Sequence, residues 1–251
     1  MPSKNEYSKI FNYFQGAIIP HAGFDYAGQA RAVVFRNLSK NDRQSKFIIY
    51  ITALHKDSGS SNKVFVLHQD KGFTNYFKNT KSEYTNELSN SAKKEHSFEW
   101  VKKELRRYFP KYRTSVLVLC PTPSSDLKLL AKDIINFINK KGQINNKGQP
   151  NKVLLFATTD LTHYGTRFNN IDMLDYPQQL GKWRKEERLI DDIKNVKSKL
   201  RREDLKMMCG PNAVKTFLYV ASYFKWKGKV VEYYDSYGIE KPLLIDRYAI
   251  D

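Results

Sequence analysis

Apolar residues along this chain gather into short continuous runs: GAIIP (16–20), KFIIYITA (46–53), KVFVL (63–67), SVLVLC (115–120), KVLLFAT (152–158), KVVEYY (229–234) and LLIDRYAI (243–250). Successive Ile, Val and Leu without alternation suit strands covered on both faces, the pattern of a parallel or mixed sheet between helix layers. Elsewhere the period lengthens. Leu127, Leu130, Ile134 and Ile138 form one stripe at helical spacing, and Val214, Phe217, Leu218 and Ala221 form another. Gly23 and Gly28 let the chain turn after His21, ahead of a helix carrying Ala30, Val33, Val34 and Leu38. Alternating strand and helix patterns predict an α/β fold, an α/β/α sandwich with a central mixed sheet in which 16–20, 46–53 and 152–158 are neighbours. The Gly- and Asn-rich stretch 141–151 reads as a loop too short to link domains, so residues 1–251 read as one domain.

Composition narrows the class. No apolar run approaches twenty residues, which excludes a membrane-spanning helix, and the start MPSKNEYSKIFNYF lacks an apolar signal-peptide core. Cys120 and Cys209 do not make a disulfide framework. An intracellular, cytoplasmic protein is the expectation. The formal net charge of +17 raises an anionic partner. The densest basic stretches, 93–113 and 182–206, are nevertheless interrupted by acids at the spacing of solvated helix faces, so weak, non-specific polyanion binding is the most they predict.

The histidines carry more information. His21, His55 and His163 each follow an apolar run, which places an imidazole at the carboxyl end of a strand, where open α/β sheets gather ligands and catalytic groups. Imidazoles with an anionic sulfur or carboxylate form a common donor set for Zn, Fe or Cu. Asp160, three residues before His163, is placed to orient that imidazole; the alternative is a helix N-cap by Thr159 or Asp160. Cys209 stands before Pro211 at a helix start, a position expected to lower the thiol pKa. On that ground alone it serves equally as a metal ligand or as the nucleophile of a Cys-His protease. GFDYAG lacks the spacing of a phosphate loop, which argues against a nucleotide site.

Four motifs, in order, resemble those of the Memo family, the Memo-like and AmmeMemoRadiSam system protein B group: IIPHAGFDYAG, EHSFEW, TTDLTHYG and MCGPNAV. The terminal runs KVVEYYDSYGI and IDRYAI are similar to its last strands. Memo proteins resemble in fold the class III non-haem iron extradiol dioxygenases. The resemblance implies a mononuclear metal site with ligands His21, His55 and Cys209, with His163 in the place of an acid/base residue and Glu95 and His96 lining the same cleft. It implies Fe(II) as the metal, with Cu or Zn as alternatives, and a dioxygenase-like oxidoreductase acting on a small aromatic substrate. The rival it leaves is a non-enzymatic protein that binds a peptide or handles metal, with Phe24, Tyr26 and Tyr164 lining a groove. Three departures stand out: Ile51-Thr52-Ala53-Leu54 precedes His55 where the family carries Gly-Pro, Pro211 replaces an Arg, and Asp235-Ser236-Tyr237-Gly238 replaces Ser-Gly-Asp.

Overall fold

The computed structural model describes residues 15–41, 46–55, 62–73, 80, 82–85, 96–110, 114–141, 152–161, 187–197 and 199–231. Strands β1 (Gly16–Ile19), β2 (Phe47–Ile51), β3 (Val64–Gln69), β4 (Tyr84–Thr85), β5 (Ser115–Pro121) and β6 (Val153–Thr158) form one sheet in the order β1-β6-β2-β5-β3-β4. β1, β6, β2 and β5 run parallel, whereas β3 is antiparallel to β5 and carries β4 parallel to itself. The expected neighbours 16–20, 46–53 and 152–158 lie side by side through β6, with Ile19 opposite Thr158 and Ile51 opposite Ala157.

Helices α1 (Phe24–Asn41), α2 (His96–Tyr108), α3 (Leu127–Lys141), α4 (Arg202–Lys206) and α5 (Pro211–Tyr223) complete the named elements, and 187–194 is also helical. The continuous apolar runs are explained by two cores. Ile48, Tyr50, Leu154 and Phe156 pack with Val34, Phe35 and Leu38 of α1 and Phe98, Val101 and Leu105 of α2. Their neighbours Ile49, Ile51, Leu155 and Ala157 pack on the other face with Leu130, Ile134 and Phe137 of α3 and Val214, Phe217 and Leu218 of α5. Alternate side chains of one strand thus enter opposite layers, and both must be apolar.

Two expectations need correction. Gly28 does not lie in a turn but inside α1, which already begins at Phe24, and the Phe24 ring packs where a Gly28 Cβ would sit. Residues 229–231 form no strand, and the rest of 229–234, with 243–250, lies outside the described residues. The charged stretches behave as solvated faces: on α2, Glu99, Lys102, Lys103 and Arg107 are exposed while Phe98, Val101 and Leu105 are buried. Among the described residues no helix is long and apolar enough to cross a membrane.

Candidate metal centre

Sheet order decides which side chains meet. Parallel β1, β6 and β2 end at one edge, and each releases a short segment there: Pro20–Ala22 after β1, Leu54-His55 after β2, and Thr159-Asp160 after β6. Cys209 arrives immediately before Gly210, the N-cap of α5. Gly210 is required by proximity, since a Cβ there would stand 2.2 Å from the Thr158 carbonyl oxygen and 3.3 Å from Ala53 Cβ. The α5 start is held by two further bonds: Gly210 N–H donates to Thr159 Oγ1 at 3.0 Å, and Asn212 Nδ2 donates to the Thr122 carbonyl at 2.9 Å.

His21, His55 and Cys209 converge. His21 Nε2 lies 3.0 Å from His55 Nε2 and 3.1 Å from Cys209 Sγ, and the three donor atoms all fall within 4.8 Å of one another. His21 is fully buried, Cys209 partly, and His55 is exposed, so the cluster opens to solvent on the His55 side. Two imidazole nitrogens and one sulfur are donors that Zn, Fe and Cu accept. At bond lengths of about 2.0–2.3 Å a tetrahedral ion separates its donors by roughly 3–4 Å; the separations of His21 Nε2 from the other two donors, 3.0 and 3.1 Å, stand at the lower end of that range. The donor set therefore fits a single transition metal ion. Cys120 lies elsewhere, fully buried on β5 against Phe65, and neither cysteine forms a disulfide.

Asp160 binds two of the three donors' segments. Its Oδ1 accepts the backbone N–H groups of His21 at 2.9 Å and Ala22 at 3.2 Å, while Oδ2 lies 3.6 Å from His21 Nε2. Its own N–H donates to Cys209 Sγ at 3.1 Å. The side chains of Thr159 and Asp160, for which a helix N-cap was the alternative to orienting His163, serve the α5 start and the β1 loop. The thiol pKa runs against the sequence expectation. Burial pushes Cys209 up to about 12, and the Asp160 carboxylate adds to the rise against the opposing hydrogen bonds from the Asp160 N–H and Thr159. Cys209 precedes the N-cap, outside the helix turn whose amides were expected to favour a thiolate.

The family model described as Memo-like protein matches residues 3–243. The chain belongs to the Memo family. No curated protein matches it significantly. His163, Glu95 and Tyr164 of the Memo motifs lie outside the described residues, as does the side chain of His96, whose backbone opens α2. The neighbouring Ser97 reaches the cluster's frame: Ser97 Oγ donates to the Ala53 carbonyl at 3.1 Å and hydrogen-bonds Thr52 Oγ1, to which Thr158 Oγ1 donates at 3.4 Å. These hydroxyls join the ends of β2 and β6 to α2, and none of them stood out in the sequence, because threonine at a strand end is ordinary. Arg31 and Glu104 were also missed. Arg31 lies three, four and seven residues before the buried Val34, Phe35 and Leu38, and a cation on an apolar stripe is the signal that marks it.

Proposed function

We propose that this Memo-family chain binds one transition metal ion through His21 Nε2, His55 Nε2 and Cys209 Sγ and uses it for non-haem oxidative chemistry on a small aromatic substrate. The convergence of these three donor atoms within 4.8 Å is the observation that carries the metal-binding reading. Three protein ligands leave open positions, as catalytic sites require. Fe(II) bound there would supply Lewis acidity and sites for a substrate oxygen and dioxygen. The thiolate also suits Cu or Zn.

The chain's own residues have separable tasks in this reading. His55, the exposed donor, faces the approach of substrate. Asp160 sets the His21 backbone and supplies negative charge beside the cluster. His163, with Glu95 and His96, supplies the proton-handling groups expected at the cleft, a role typically worth about 10²–10⁴ in rate.

A non-enzymatic reading has one observation in its favour: Phe24 and Tyr26, at the first turn of α1 beyond His21, are 61% and 40% exposed, as a peptide-binding rim would be. One experiment separates the two. Protein purified without oxygen or chelators is analysed for metal, then tested for dioxygen uptake with a panel of catechols. Stoichiometric Fe with catechol-dependent uptake supports the oxidative reading. Stoichiometric metal with no uptake across the panel supports metal handling, and no retained or rebindable metal refutes both metal readings and leaves peptide binding.

A further inference from the structure

Arg31 is a fully buried cation at a place where stability alone does not require one. From α1 it forms a two-pronged pair with Glu104 of α2, Nε to Oε2 at 2.6 Å and Nη2 to Oε1 at 3.0 Å. A buried ion pair of this kind is often matched or exceeded in stability by apolar residues of similar volume, because both charges lose their water. What the apolar pair lacks is the third arm. Nη1 donates to the Ala22 carbonyl at 2.7 Å and the Pro20 carbonyl at 3.2 Å, the residues on either side of His21.

The Pro20–Ala22 segment lies past the end of β1 and before the start of α1. It is not part of a strand, and Pro20 has no N–H to offer. Its orientation comes instead from side chains on two sides: the Asp160 carboxylate takes the amides of His21 and Ala22, and the Arg31 guanidinium takes the carbonyls of Pro20 and Ala22. A planar guanidinium locked by a carboxylate holds its remaining nitrogen in a fixed direction, which an ammonium on a flexible stem does not. Donors of a metal site need placement to within roughly 0.5 Å, supplied by supporting contacts.

We propose that Arg31, locked by Glu104, is a positioning residue that fixes the backbone on both sides of His21 and so aims its imidazole at His55 and Cys209. The inference rests on the metal-binding reading above, and its test distinguishes the two. The metal-free full chain is titrated with Co(II) in three forms: unaltered, Arg31→Lys, and Arg31→Met with Glu104→Leu, an apolar pair that keeps the packing. Ligand-field and thiolate charge-transfer bands report the donor set, and amide hydrogen exchange at His21 and Ala22 reports the segment itself.

The double variant is expected to keep the far-UV spectrum and unfolding midpoint of the unaltered chain. His21 and Ala22 amides should exchange faster, Co(II) affinity should fall about 10- to 100-fold, and the bands should shift. Arg31→Lys should lose several-fold in affinity, and it decides the matter if the double variant does not fold. Unchanged affinity and bands in the folded variants overturn the assignment, as does unchanged exchange at His21 and Ala22. If the unaltered chain binds no Co(II) through sulfur, the metal-binding reading falls, and the positioning role falls with it.

Discussion

Asp160 and Cys209 are joined by three hydrogen bonds: the Asp160 N–H donates to Cys209 Sγ at 3.1 Å, and the Cys209 N–H and thiol both donate to the Asp160 carbonyl, at 3.2 and 3.5 Å. The sulfur is thus held in place by the protein alone, and held as a thiol. Burial and the Asp160 carboxylate put its pKa at about 12, so below that pH the metal must displace a proton to gain the thiolate.

Metal affinity should therefore rise about tenfold per pH unit between about pH 8 and 9.5, with one proton released per Zn(II) bound. Calorimetry in buffers of different ionisation enthalpy counts that proton. Cys209→Ala should remove it along with most of the affinity. Binding without proton release in the unaltered chain would exclude Cys209 as the anionic ligand.

The two cysteines should separate cleanly on mutation. Cys209→Ser replaces a soft thiolate donor and should strip metal from the purified protein while leaving the unfolding midpoint of the metal-free form nearly unchanged. Cys120→Ser puts a hydroxyl into the buried contact with Phe65 and should keep metal while losing about 1–3 kcal/mol of stability. Metal analysis and urea unfolding on both proteins check the pair, and equal metal contents contradict the assigned site.

Gly210→Ala tests how closely the α5 start approaches β6. Its φ of −117° is open to alanine, so backbone strain is not the objection; the 2.2 Å approach of the new Cβ to the Thr158 carbonyl is. Pushing α5 away should cost about 1–3 kcal/mol and weaken metal binding by displacing Cys209. A variant as stable and as metal-competent as the parent would show that the contact relaxes freely.

Acid should loosen the sheet at the edge opposite the cluster. Asp70 is buried, takes the Val116 N–H at 2.9 Å and pairs with Arg106 and His68. Its burial raises its pKa, but these partners outweigh it and the net shift is downward from 3.8; burial likewise lowers His68 from 6.5. Both groups bind fewer protons folded than unfolded, so stability is full above the unfolded values, starts to fall below about 6.5 for His68 and below about 3.8 for Asp70, and is lost as pH passes through each lower folded value. Urea midpoints measured from about pH 7 to 2 should decline, and Asp70→Asn should be less stable at pH 7 with a shallower decline below about pH 4. A pH-independent midpoint in the unaltered chain would refute the linkage.

The parallel core was legible in the sequence because burial on both faces leaves a residue-by-residue mark: 46–53 and 152–158 are apolar at nearly every position, and the structure uses every one. The reversal of β3 left no such mark, and β4 is two residues in a polar stretch that become a strand only by pairing with Val64 and Phe65. His21, His55 and Cys209 were legible as types at strand and helix ends. Asp160 was legible as a residue but not in its contacts, since its bonds to the His21 and Ala22 amides exist only because Ile19 lies opposite Thr158. Arg31 is marked as a cation on the apolar stripe of α1, but its partners were hidden because they lie on another helix and in another loop.

Among the described residues β1 stands at the edge of the sheet and pairs only with β6, Gly16 opposite Leu155. A ribosome releases the first donor long before its support: His21 has no ladder to stand on until residues 153–158 are made, and the sulfur follows only at residue 209. A nascent chain that stops before residue 153 presents His21 on an unpaired segment, and one that stops before residue 209 lacks the sulfur, so either is a poor competitor for a scarce ion. Any metal capture by this geometry would have to wait for residue 209, and that timing is set by strand order.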